Sequence, residues 1–259
     1  MRVDVLEFNR KAWNQQSRNN GQWSVPVSDE TIAAARSGDW NVILTPLKAV
    51  PKSWFGHLTG KSVLCLASGG GQQAPVLAAA GARVVSFDLS DVQLEKDRIL
   101  AERHDLDVTC LQGDMADLSQ LEPESFDLIF HPVSNLFVPN IEIVWAQCYR
   151  VLKPKGDLLV GFMNPSMFLF DHDEAARTGK IEVTRKLPYD EAERLSEAEL
   201  HALEENGLAL EFSHSLDAQL GGQLRAGFLI SDLYEDDWDD SILFNAFSPT
   251  SVATRAKKL

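Results

Sequence analysis

At 259 residues, with 44% hydrophobic and 24% charged side chains, the chain has the material for a full core and the composition of a globular protein in water. A formal net charge of -14 argues against nucleic acid as a partner, because binding phosphates draws on clustered Lys and Arg, so a small molecule is the expected substrate. The amino end, Met1-Arg2-Val3-Asp4-Val5, lacks the plan of a signal peptide and no apolar run reaches the length of a membrane span, which makes the cytoplasm the default expectation.

Residues 1–58 precede the first strand-like run and hold Trp13, Trp23, Trp40 and Trp54. Val5 to Gln16 and Asp29 to Arg36 read as helices, the second with Ser28 as its cap and Gly38 beyond its end. A prefix this aromatic is expected either to pack onto the domain or to form a lid over a pocket. Lys61 to Leu66 then has the apolar density of a strand covered on both faces. It ends in Ala67-Ser68-Gly69-Gly70-Gly71, and Ala74 to Ala80 reads as the next helix, with Pro75 in its first turn. Strand, glycine turn and helix open a βαβ unit in which a ligand can lie against bare backbone near a helix N-terminus. Gly69, Gly71 and Ala74 also fit G-x-G-x-x-A, so the turn alone does not separate one adenosine-bearing cofactor from another.

Ala82 to Leu89 reads as a second strand, with Asp88 at its carboxyl end, 19 positions beyond Gly69, where an acid can accept from both ribose hydroxyls of a nucleotide. Ser90 and Gln93 supply a capping box for a helix from Asp91 to about Arg103. Val108 to Gln112 is a short third strand ending in Gly113-Asp114-Met115, which could meet an adenine through the Asp114 carboxylate and the Met115 thioether. Ser125 to His131 is a fourth, buried strand, and His131-Pro132-Val133-Ser134-Asn135 at its end should face the same crevice. Ile141, Val144, Trp145, Cys148, Tyr149 and Leu152 form the stripe of an amphipathic helix, and Asp157 to Phe162 reads as a fifth strand. Past a region from Met163 to Ser215, which contains a helix opening at Ser196 and stopping at Gly207, Leu216 to Ala226 is helical. Gly227 to Leu233 and Val252 to Arg255 read as strands. The acidic run Glu235-Asp236-Asp237 with Asp239-Asp240 reads as a solvated surface loop. Cys65, Cys110 and Cys148 are too far apart for a metal or redox motif and are expected to be reduced, buried thiols; no metal site is expected.

With these residues laid out, the chain resembles a class I S-adenosylmethionine-dependent methyltransferase. Val63 to Gly71 matches the first motif of that family, Asp88 its ribose acid, Gly113-Asp114-Met115 its adenine-side segment and Arg150 to Gly156 the turn into its fifth strand. The match is close from about Gly60 to Gly161 and looser from Leu216 to Leu259. Ala12-Trp13-Asn14 and Leu66 to Gln73 also look like a bacterial branch of small-molecule methyltransferases. The resemblance implies an α/β, Rossmann-like, doubly wound seven-stranded sheet, mostly parallel with the last strand antiparallel between its neighbours. It divides a single domain over 1–259 into a lid (1–58), a cofactor-binding core (59–162), an insert after the fifth strand (163–215) and the C-terminal part of the sheet (216–259). There are departures: Cys65 stands where the family has an acid, Ala67 where it has the first glycine, and Lys155 where it more often has a glycine, the last a neutral exchange.

The implied activity is transfer of a methyl group from S-adenosylmethionine to a small-molecule acceptor by in-line displacement, leaving S-adenosylhomocysteine. Implied cofactor contacts are Ala67, Ser68, Gly69, Gly71, Gln72, Asp88, Leu89, Gln93, Asp114, Met115 and His131. His131 is also the candidate catalytic base, ahead of His214, because its reference pKa lies near neutrality. Trp13, Trp23, Asn135, Asn164 and Tyr189 are the candidate substrate contacts, and Trp13 and Trp23 could attract a sulfonium through their ring faces. A nicotinamide- or flavin-dependent oxidoreductase and a non-enzymatic cofactor-binding module stay open as alternatives.

Overall fold

The computed structural model describes residues 3–239 and 242–259. Met1 and Arg2 of the amino end and Asp240 of the acidic run lie outside the described residues. The chain opens with α1 (Val5–Arg18), where Asp4 accepts from the Glu7 backbone N–H, and α2 (Asp29–Arg36), capped by Ser28. The sheet core follows as β1 (Ser62–Leu66), α3 (Ala74–Ala79), β2 (Arg83–Asp88), α4 (Asp91–His104), β3 (Val108–Gln112), β4 (Phe126–His131), α5 (Ile141–Val151) and β5 (Leu152–Met163). The short helices α6 (His172–Thr178), α7 (Glu191–Arg194) and α8 (Glu197–Asn206) belong to the insert, before α9 (Gly222–Ala226), β6 (Phe228–Asp236) and β7 (Ser251–Lys258).

Among the described residues these strands form one seven-stranded sheet in the order β3-β2-β1-β4-β5-β7-β6. Neighbours from β3 to β5 pair in parallel, and β7 runs antiparallel between β5 and β6, as the resemblance implies. The chain steps outward from β1 to β3 on one side and then returns to β4 on the other. That reversal leaves a crevice at the carboxyl ends of β1 and β4, where open α/β sheets place their ligands.

Alternation along β1 builds the two halves of the core, since successive side chains of a strand point to opposite faces. Val63 and Cys65 enter one cluster with α3, Trp54 and Phe55. Leu64 and Leu66 enter the other with Val144, Trp145 and Cys148 of α5. Each fully buried Leu, Val or Phe stabilises the fold by about 1.5–3 kcal/mol, so the sheet is a rigid platform for whatever its edge carries. The insert has a smaller cluster of its own, in which Met167, Phe168, Phe170 and Tyr189 pack with Leu136 and Phe244.

The structure corrects three sequence expectations here. Lys155 has φ +67°, a left-handed conformation that glycine adopts without strain, so its exchange for the family's glycine is not neutral. Asp236 is buried, and its carboxylate accepts from the backbone N–H groups of Leu47 and Lys48 at 2.9 and 2.8 Å, so part of the acidic run anchors the N-terminal segment. Cys110 is only half-buried, while Cys65 and Cys148 are buried; all three are free thiols. No helix among the described residues is long and apolar enough to cross a membrane.

Candidate functional site

The turn after β1 is held open by its neighbours. Ala67 takes φ +48° and donates its backbone N–H to the Phe87 carbonyl at 2.7 Å, tying the turn to β2. Gly69 donates to one Asp88 carboxylate oxygen at 2.9 Å, and Ser90 donates to the other at 2.8 Å. A Cβ on Gly69 would lie 2.8 Å from the Gln93 Cβ and 3.2 Å from the Asp88 carboxyl, so only glycine lets the turn approach β2 this closely. Burial pushes the Asp88 carboxyl up from its ordinary value, and the backbone donors at Ser90 and Gly69 oppose that rise. Gly71 donates to Asp97 Oδ1 at 2.8 Å, and the Ser86 hydroxyl donates to Asp97 Oδ2 at 2.7 Å, so a buried acid from α4 holds the glycine turn from below.

The N-terminal segment covers this turn. Val27 donates to the Gly71 carbonyl at 2.9 Å, and the Gln72 amide donates to the Gln22 and Val25 carbonyls at 3.0 and 3.1 Å. Asn14 explains the Ala12-Trp13-Asn14 stretch: it accepts from the Ser90 hydroxyl at 2.6 Å and donates to Asp91 at 2.9 Å, which docks α1 on the start of α4. Lys96 of α4 donates to the carbonyls of Ser17 and Ser24 and so ties the N-terminal segment to the helix. Residues 42–46 run across the sheet edge as a strap, with the Val133 N–H donating to the Leu44 carbonyl at 3.0 Å. A cavity of about 590 Å³ lies between the sheet edge, the N-terminal segment, the strap and the region after β5.

Nine of the expected cofactor residues line that cavity: Ala67, Ser68, Gly69, Gln72, Asp88, Leu89, Gln93, Asp114 and Met115. Gly71 and His131 are not among the lining residues. His131 is fully buried behind β1, where its Nδ1–H donates to the Leu66 carbonyl at 2.9 Å and its Nε2 lies 2.6 Å from Asn135 Oδ1. Burial holds its pKa below the usual value, and both ring nitrogens face the Leu66 carbonyl of β1 and the Asn135 side chain, away from the cavity lining. His214 is equally diverted, its Nε2 facing the carbonyls of Asn135 and Val138 at 3.0 and 2.9 Å.

The expected substrate contacts divide. Trp13 and Trp23 line the cavity, edge to face with Phe137 and Trp238 at 5.1 and 5.8 Å between ring centres, whereas Trp54 is buried beneath the sheet and Trp40 packs on Phe55. Asn135, Asn164 and Tyr189 lie outside the lining. Asn135 donates to Gln219 at 2.9 Å, Asn164 donates to the Pro249 carbonyl at 2.8 Å, and Tyr189 sits between Arg185 and Arg194 in the insert core. Each is bound into packing away from the opening.

Three features of the site were not expected from the sequence. The first is the strap, whose signal is Gly161: an isolated glycine inside a strand marks a close backbone approach, and a Cβ there would meet the Leu44 carbonyl oxygen at 2.0 Å. Asp97 is the second, an acid three positions after Leu94 on the buried face of α4. The third is Glu211, which stands between the buried Leu210 and Phe212 and lines the cavity.

The sequence pattern of a methyltransferase domain matches residues 64–160. An uncharacterized methyltransferase of Bacillus subtilis, YbaJ, is 46% identical over 255 residues, which span 98% of this chain and 99% of that protein. The chain belongs to the class I S-adenosylmethionine-dependent methyltransferase family. A ubiquinone biosynthesis O-methyltransferase of Hahella chejuensis is 34% identical to this methyltransferase over 115 residues, 44% of this chain and 48% of that one. In fold, the methyltransferase resembles an S-adenosylmethionine dependent methyltransferase from Mesorhizobium loti, with a TM-score of 0.60 and 19% identity over 80% of this chain and 95% of that one.

The residues present fit the family's cofactor. Ser24 Oγ, Ser68 Oγ and Gln93 Oε1 are buried without a hydrogen-bond partner among the described residues, and all three residues line the cavity. Buried polar atoms are almost always paired, so three orphans around one cavity mark the place of a polar ligand. Asp88 beside them offers the remaining lone pairs of a carboxylate whose geometry is already set by two backbone donors.

Proposed function

We propose that this methyltransferase acts on a small, largely apolar acceptor that enters the same cavity as the cofactor, beneath the N-terminal lid. When bound, S-adenosylmethionine supplies a methyl carbon made electrophilic by its sulfonium. Asp88 would hold the ribose hydroxyls, Leu89 and Met115 would flank the adenine with Asp114 toward its amino group, and Ser68 and Gln93 would find partners for their unpaired atoms. The observation that carries this reading is the set of orphaned polar atoms at the end of the cavity built on β1 and β2.

The rest of the cavity wall supports a small-molecule acceptor, since Leu6, Trp13, Leu136, Phe137 and Val138 give it an apolar character. Relatives named ubiquinone biosynthesis O-methyltransferases, alike over about half their length, favour the same class. The net charge of -14 disfavours nucleic acid, and the cytoplasm remains the compartment we assign. The chain's part in the chemistry is chiefly to orient the reactants and keep water out, which can lower a barrier by roughly 7–11 kcal/mol without a general base. That matches a cavity with no histidine among its described lining residues.

Calorimetry with S-adenosylhomocysteine tests the cofactor half of this reading. Asp88→Ala should weaken binding by about a hundredfold, the equivalent of losing hydrogen bonds to a charged group. Unchanged affinity in that variant would remove Asp88 from the site. An acceptor screen read by release of S-adenosylhomocysteine tests the other half.

A further inference from the structure

The cavity is lined by three carboxyl-bearing residues, Asp88, Asp114 and Glu211, and among the described residues by no Lys, Arg or His. Two of the three are occupied by backbone donors: Asp88 receives Gly69 and Ser90, and Asp114 receives the Ala116 N–H at 2.9 Å. The Glu211 carboxyl enters no hydrogen bond or ion pair among the described residues, although the backbone around it is clamped on every side. Asn9 of α1 accepts from the Leu210 N–H at 2.7 Å and donates to the Leu210 and Phe137 carbonyls at 3.1 Å. Phe212 donates to the Leu136 carbonyl at 2.7 Å, and the Glu211 N–H donates to the Glu191 carboxylate at 2.8 Å. The backbone of Glu211 is therefore held at the cavity wall by bonds that do not use the side chain, in a wall that also includes Leu136, Phe137 and Trp13.

A fixed, unpaired carboxyl in an apolar wall is unfavourable unless something that enters the cavity meets it. With Asp88 and Asp114 taken by the ribose and adenine of the cofactor, an anionic acceptor would meet the Glu211 carboxyl and, among the described lining residues, no cation. Resting on the methyltransferase reading, we infer that Glu211 is the residue that recognises the acceptor: it receives a hydroxyl or amine proton of an otherwise apolar molecule that carries no negative charge. Burial, and Glu191 after it, push this carboxyl up to about 8, with Arg185 opposing. Its charge thus changes just above neutrality, and a donor presented to it binds better as pH rises through that value.

The test is tryptophan fluorescence, reported by Trp13 and Trp23 in the cavity wall, with S-adenosylhomocysteine present. The ligands are 4-propylphenol, 3-phenylpropylamine and 3-phenylpropanoate, titrated into wild type and Glu211→Gln. The phenol or the amine should bind and the propanoate should bind at least about tenfold more weakly. Glu211→Gln should weaken the phenol or amine about tenfold and abolish the gain in phenol affinity between about pH 7 and about pH 9, while S-adenosylhomocysteine affinity stays unchanged as proof of an intact fold. Equal binding of the propanoate, wild-type affinity in Glu211→Gln, or no binding by any of the three overturns the assignment. Failure of S-adenosylhomocysteine itself to bind would strike the methyltransferase reading and leave Glu211 aside.

Discussion

Asp97→Asn should make the protein more stable at neutral and alkaline pH, although it replaces an acid that holds the glycine turn. Asp97 is fully buried on α4 and accepts from the Ser86 hydroxyl at 2.7 Å and the Gly71 N–H at 2.8 Å. Burial pushes its carboxyl from 3.8 up to about 7; the two hydrogen bonds pull against that and Asp88 adds to it. A folded-state value above the unfolded one means that the native state holds more protons in between. The contribution of Asp97 is therefore fully present below 3.8 and is lost as pH rises through about 7. A rise of that size corresponds to roughly 4 kcal/mol for complete ionisation. Asparagine does not titrate and can keep both bonds, its Oδ1 accepting from Gly71 and its amide donating to a rotated Ser86 hydroxyl. Denaturant melts of both proteins from about pH 4 to about pH 9 give the difference at each pH, and that subtraction cancels the titrating groups that do not sense Asp97, Glu211 included. The difference should be near zero at the acid end and grow to about 2–4 kcal/mol in favour of the variant above about pH 8. A difference that does not change with pH refutes the buried ionisation.

Other substitutions test the backbone and the histidine. Ala67 and Lys155 sit at φ +48° and +67°, so Ala67→Gly and Lys155→Gly should each stabilise in thermal melts, and a loss in either would contradict the strain assigned to it. The gain should be about 0.5–1 kcal/mol, the left-handed strain relieved less the freedom glycine adds to the unfolded chain. Gly161→Ala would set a Cβ 2.0 Å from the Leu44 carbonyl oxygen, pushing the strap off the sheet edge. A loss of about 2–3 kcal/mol is expected, with weaker binding of S-adenosylhomocysteine, and wild-type melting would show that the strap is free to move. His131→Phe removes a buried ring that bridges Leu66 and Asn135, so it should lower stability by about 2–3 kcal/mol while the pH profile of turnover keeps its shape. Loss of one limb of that profile would restore His131 as a base.

The sheet was legible because its signals are local and redundant. Apolar runs of strand length, the Ser90 cap, Pro75 and the spacing of Asp88 from Gly69 all point to one topology, and the structure has it. The cofactor end of the cavity was legible for the same reason, since it is built from strand ends whose place follows from the topology. The acceptor end was not. Proximity to the carboxyl end of β4 suggested His131 and Asn135, but a residue at a strand end can turn inward, and there the Leu66 carbonyl and Gln219 claim them. Glu211 lines the cavity on a backbone that distant partners hold, among them Asn9, which clamps its neighbour Leu210 across 201 positions of sequence, a pairing with no local trace. Asp236 reads as one more surface acid until the Leu47 and Lys48 N–H groups are seen to converge on it.

The departure at Cys65 and the buried acid of α4 have a common explanation. Cys65 is fully buried on β1, and its thiol is raised well above the ordinary value first by burial and then by the charge of Asp97. The two side chains thus share one low-dielectric region beneath the glycine turn. An acid at position 65, as the resemblance leads one to expect, would place a second carboxyl there, and two neighbouring buried carboxyls cannot both ionise without a large penalty. The acid has in effect moved from β1 to α4, where it receives the Gly71 N–H and ties the turn to the helix. Cys65→Asp in the wild-type background should therefore destabilise strongly, by about 3–5 kcal/mol at pH 8, as an unpaired buried charge does. In the Asp97→Asn background the same change should be milder by about 1–2 kcal/mol, because the like charge is gone. The double-mutant cycle from urea melts of the four proteins measures that coupling. Strict additivity would mean that Cys65 and Asp97 do not sense each other, and the exchange of one acid for the other would lose its physical basis.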